Sequence, residues 1–97
     1  MQKKLDKAFF EFKLLIQQEE YFKAHEVLEE IWHYMRKSLH HDRNIIRGFI
    51  NAAVALELKK RGRNNYLKVW ETYEKYKPKN KYNDVVIFLD NYKKELQ

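Results

Sequence analysis

The sequence predicts an all-α protein, a single compact bundle of about five helices with a central, mostly apolar third helix. Three observations carry this. Apolar residues recur at steps of three and four in five successive segments. Two Gly and one Pro among 97 residues are too few for the many turns of a sandwich or barrel. Hydrophobic residues at 44% and aromatics at 15% suffice for one core, so residues 1–97 are expected to form one helical domain.

In the first segment Leu5, Ala8, Phe9, Phe12, Leu15 and Ile16 form a stripe, with Lys4, Lys7, Glu11 and Lys13 outside it. The second runs from about Tyr21 to Lys37 on Ala24, Leu28, Ile31 and Met35. Ser38 to Asp42 interrupts the pattern, with Asp42 as the expected N-cap of the third segment. That segment, about Arg43 to Arg61, is apolar nearly all round from Ile45 to Leu58, which places it at the centre. Gly48 costs a helix about 1 kcal/mol relative to Ala, so a close-packed neighbouring backbone is its expected justification. Gly62 is placed to end the helix. The fourth, about Asn65 to Tyr76, carries Tyr66, Leu67, Trp70 and Tyr73, with Asn64 available as cap and Pro78 as stop. Val85, Phe88, Leu89, Tyr92 and Leu96 define a fifth helix.

Composition excludes several classes. Without cysteine there is no disulfide framework, thiolate metal site or thiol nucleophile. No apolar run approaches the ~20 residues of a membrane span. The start, MQKKLDKAFF, lacks a signal-peptide apolar stretch, and the expected location is cytoplasmic.

One polar cluster interrupts the bundle pattern. His25, Glu29, Trp32 and Arg36 form a ridge on the second helix, with Glu26 beside it. Arg43, Arg47 and Asn51 lie on one line of the third. Antiparallel packing would bring the two rows together, and the expectation is an ion-paired network, because a buried carboxylate without a partner is very costly.

The string YFKAHEVLEEIW, followed by RNIIRGFINAAVALELKKRG, resembles the domain of unknown function 309 family, small all-helical prokaryotic proteins with an AHE-x-x-E-x-x-W helix and a glycine-containing apolar helix. His25, Glu26, Glu29, Trp32 and Gly48 match that pattern. Arg47 and Asn51 stand where the family often has glutamine, and Gly62-Arg63-Asn64 replaces its Gly-Asn turn. The resemblance implies the fold and supplies no established activity.

The foremost functional expectation is a non-catalytic binding or interaction module, its His/Glu/Arg network structural and no cofactor required. A second is a metal-binding protein or metal-dependent hydrolase using the HExxE residues His25, Glu26 and Glu29. His25 and Glu29, at i and i+4, would hold a divalent ion such as zinc or iron, with a third ligand from His33, His40, His41 or Glu57. Glu30-x-x-His33 fits one half of a di-iron site, and no second copy exists. Ser38, the one serine, stands near His40 and His41 without an acidic orienting partner.

Charge supports a third reading. Residues 59–81 hold nine basic groups against Glu71 and Glu74, a nucleic-acid footprint in principle, whereas residues 1–58 are balanced. The basic groups flank the fourth helix on the order of 20 Å apart, at helix ends where cations are favoured anyway. Packing accounts for Phe9, Phe12, Trp70, Tyr73 and Phe88. Tyr21, Tyr34, Tyr76 and Tyr82 are expected to be partly exposed, and a homodimer through them is open.

Overall fold

A computed structural model describes residues 2–97 as five α-helices and a closing 3₁₀ turn: α1 (Gln2–Gln17), α2 (Tyr21–Lys37), α3 (Arg43–Lys60), α4 (Tyr66–Tyr76), α5 (Asn83–Asp90) and η1 (Lys93–Leu96). No strand occurs among the described residues. The architecture is the all-α bundle that the periodicity predicts. α3 is central: it packs on α2 along one side and α4 along another, while α1 lies on α2 and touches α5. Its buried set, Ile46, Gly48, Phe49, Ile50, Ala52, Ala53, Ala55 and Leu56, spreads over more than one face, as a helix between two neighbours requires. The core runs on through Phe12, Leu28, Met35, Tyr73, Leu89 and Leu96. No described helix is long and apolar enough to cross a membrane.

Gly48 lies where α3 meets α4. A Cβ there would stand 3.3 Å from the Cβ of Tyr76 and 3.5 Å from the Cα of Tyr73, so the glycine permits the close approach that its sequence context predicts.

The first three helices end alike. After α1, α2 and α3 the C′ residues Glu19 (φ 60°), Leu39 (φ 53°) and Gly62 (φ 74°) are left-handed. In each case the next N–H returns to a carbonyl of the last turn: Glu20 to Leu15 at 2.9 Å, His40 to Met35 at 2.9 Å, and Arg63 to Leu58 at 2.9 Å. These are Schellman closures, two of them built without glycine. α4 stops differently, with Lys77 extended (ψ 124°) ahead of Pro78.

Four expectations are corrected. Asp42 precedes α3 but makes no side-chain cap bond, because its carboxylate is turned to other partners. Asn65 rather than Asn64 precedes α4, again without a side-chain cap bond. The fifth helix is not continuous to Leu96: after Asp90 the Tyr92 N–H tightens onto the Leu89 carbonyl, and the resulting 3₁₀ turn brings buried Leu96 against α3. Tyr21 is buried, not partly exposed.

Candidate functional site

The Ser38–Asp42 connection folds α2 back along α3, so residues equidistant from it face each other. His25 stands 13 residues before Ser38, and its neighbours accordingly lie around Val54 and Ala55. A shallow crevice of 260 Å³ between the helices has Tyr21, Phe22, Val54 and Leu58 as apolar walls, with His25 and the ion-paired Glu57 and Arg61 at its rim. Phe22 is 53% exposed, and its ring centroid lies 4.9 Å from that of His25.

His25 is held by its own helix. Its Nδ1–H donates to the Phe22 carbonyl at 2.7 Å, since a carbonyl only accepts. Its Nε2 lies 3.4 Å from the Glu29 carboxylate, whose side chain is 45% exposed. The ridge continues with the Arg36 guanidinium 5.2 Å over the Trp32 ring. Glu26 is exposed and makes no ion pair among the described residues.

The second row does not meet this ridge. Arg43 Nη1 donates to the His40 carbonyl at 2.8 Å, in the connection. Arg47 lies 6.0 Å from the Tyr76 ring centroid, toward α4. Asn51 Nδ2 donates to the Arg47 carbonyl of its own helix at 2.8 Å. The expected Glu29–Arg network is therefore not formed. Such a network presupposes a buried carboxylate, and the half-exposed Glu29 has water for a partner. Nor does a third metal ligand join His25 and Glu29 among the described residues.

The buried carboxylate is Asp42, 4% exposed and the one charged residue that is buried among the described residues. Tyr82 donates its hydroxyl to Asp42 Oδ2 at 2.6 Å, Lys81 Nζ sits on the same oxygen at 2.7 Å, and His41 Nε2 is 3.7 Å from Oδ1. Burial works to raise the Asp42 pKa, but the hydrogen bonds from Lys81 and Tyr82 outweigh it and hold the carboxyl below its ordinary value. Burial first, and then the bond to Asp42, push the Tyr82 phenol up. Tyr82 occupies a left-handed backbone position (φ 55°) ahead of α5, with its ring edge-on to Phe9 at 5.3 Å and Phe49 at 6.2 Å.

A second knot ties α4 to the C-terminal segment. Tyr73 donates to Asp90 at 2.8 Å, Lys77 bridges Glu74 at 3.0 Å and Asp90 at 3.3 Å, and Trp70 Nε1 donates to Glu74 at 3.0 Å. Burial first, then the hydrogen bond to Asp90, raise the Tyr73 pKa.

The basic segment is largely committed to such contacts. Lys59 lies on the Tyr66 ring, Lys60 bonds the Glu19 carbonyl, Arg61 pairs with Glu57, and Lys75 lies against Tyr76. Ser38 Oγ donates to the Tyr34 and Met35 carbonyls at 3.2 Å each, which uses it in closing α2.

Sequence reasoning missed Asp42 as a polar centre because it read that residue only as a cap. The available signal was its place directly after His40 and His41, in a connection that a packed bundle partly buries.

Fold and site define a small helical protein with a half-buried His/Glu pair beside an apolar crevice, and a buried Asp42 held by a half-buried Tyr82 at the far end of α3. The chain belongs to the family described as Domain of unknown function (DUF309), whose model matches residues 9–68. The match contains the whole α2–α3 pair with His25, Glu29 and Asp42. The Asp42 partners Lys81 and Tyr82 lie beyond it. No curated protein and no solved structure matches the chain.

Proposed function

We propose that the protein is a small, non-catalytic cytoplasmic binding module that receives an apolar group in the α2–α3 crevice beside His25. One observation carries this reading: the His25–Glu29 pair makes no polar contact with another helix. Arg43 and Arg47 contact other groups, the Glu29 carboxylate is half exposed, and His25 borders an apolar concavity. Apolar walls with a few polar rim groups are the usual composition of a binding pocket, in which burial supplies affinity and the rim fixes orientation. Exposed Phe22 adds apolar surface at the same place. No nucleophile, phosphate-cradling loop or oxyanion arrangement accompanies His25, and Ser38 is turned into its own helix end.

A screen of small aromatic and aliphatic fragments by two-dimensional NMR tests it. The expected result is a set of shift changes converging on Phe22, His25, Val54 and Leu58, abolished in Val54→Phe, which fills the crevice. Shifts scattered elsewhere, or none at millimolar fragment, would reject the reading.

A further inference from the structure

We propose that His40, His41 and Asp42 form a binding site for a divalent transition-metal ion of the zinc type, distinct from the His25 crevice at the other end of the α2–α3 pair. One ligand atom of each of the three residues lies within 4.8 Å of the other two. The two imidazoles are stacked, with ring centroids 4.8 Å apart and planes at 16°, so they project together. His41 Nε2 and Asp42 Oδ1 are already 3.7 Å apart. Ligands about 2.1 Å from one zinc stand roughly 3.4 Å from each other, so a small rotation of an exposed His41 side chain closes the gap. That side chain is 80% exposed and has room to move.

The Asp42 carboxylate is divided between two tasks. Tyr82 and Lys81 both hold Oδ2, which fixes the carboxylate plane and leaves Oδ1 directed at His41. This is how an outer hydrogen-bond partner orients a metal ligand. The concavity in front is open and lined by Gln2, His40, His41, Asp42, Asn80 and Lys81, leaving space for water or a further ligand. Imidazole and carboxylate donors suit zinc, cobalt or nickel better than magnesium or calcium.

Two features oppose the ion and set its affinity. Lys81 places a positive charge on the same carboxylate, and His40 gives up the hydrogen bond its Nδ1 accepts from the Asp42 N–H at 3.1 Å. Lys81 is thus an internal competitor for Asp42, and its removal should tighten binding.

Calorimetric titration of the full chain with Zn²⁺ is the test, with Co²⁺ as a paramagnetic probe. The expected result is one ion per chain, weakened at least about tenfold by His41→Ala, since loss of even an orienting partner costs a metal site that much. Lys81→Met should strengthen binding severalfold. Co²⁺ should broaden the ring signals of His40 and His41 and leave those of His25 and His33 sharp. His41→Ala removes an exposed side chain, so its fold is not at risk. No heat of binding, unchanged affinity in His41→Ala, or broadening centred on His25 would overturn the proposal.

Discussion

Tyr82 donates its phenolic hydrogen to Asp42 at 2.6 Å across 40 residues of chain. The bond joins the start of α3 to the residue that opens α5. It also explains why a tyrosine occupies a left-handed position where glycine would be easier. Its ring packs on Phe9 and Phe49 while its hydroxyl satisfies the buried Asp42 carboxylate.

Tyr82→Phe keeps the ring and removes the hydroxyl. Because the lost partner is a buried, charged acceptor, the expected loss is about 1.5–3 kcal/mol of stability in urea denaturation. A change under about 0.5 kcal/mol would mean that Lys81 and water serve Asp42 equally well.

Acid and alkali should act through different groups. Asp42 and Glu74 have folded pKa values below their ordinary ones, so their contribution is complete above about pH 4–4.5 and fades as pH falls through the folded values. Tyr73 and Tyr82 are raised, so the unfolded chain loses those protons first and stability drops as pH climbs above about 10. Denaturation midpoints measured from pH 3 to 11 should show both declines, and Tyr82→Phe should flatten the alkaline one.

Leu39 is 74% exposed with φ 53°. Leu39→Gly removes the left-handed penalty at the cost of a more flexible unfolded chain, for an expected net gain of about 0.5–1 kcal/mol. A thermal midpoint at or below that of the parent would contradict it.

At Gly48 the two terms oppose each other differently. Ala improves helix propensity by about 1 kcal/mol but its Cβ presses on Tyr76, so Gly48→Ala should be nearly neutral. Gly48→Val adds two more methyl groups against the α4 backbone and should cost about 1–3 kcal/mol. Thermal melts of the pair separate the two terms.

The helices were legible because apolar spacing is a local property. Leu28 and Met35 are fully buried where the period puts them, and Gly48 sits at a backbone contact. The side-chain rows were legible as rows but not in their direction. A helical wheel shows that Arg43, Arg47 and Asn51 share a line, whereas α3 has two neighbours, and Arg47 turns to Tyr76 of α4. The partners of Asp42 were beyond reach for another reason. Its partners Lys81 and Tyr82 are brought to it by the path of the chain after Pro78 and by a tyrosine in a conformation that sequence statistics disfavour. His25 and Glu29 were found together on α2, but their exposure depends on what faces them from α3, which spacing within one helix does not encode.

The proposed binding role requires that the fold not depend on the His25–Glu29 pair. Urea denaturation of the His25→Ala/Glu29→Ala double variant tests this most directly. The ion pair itself contributes at most about 1 kcal/mol, and truncating the His25 ring, 15% exposed, costs about 1 kcal/mol more in packing, so the variant should unfold within about 2 kcal/mol of the parent. A loss of about 3 kcal/mol or more, the scale of breaking a buried ion pair, would contradict the account and make the pair structural.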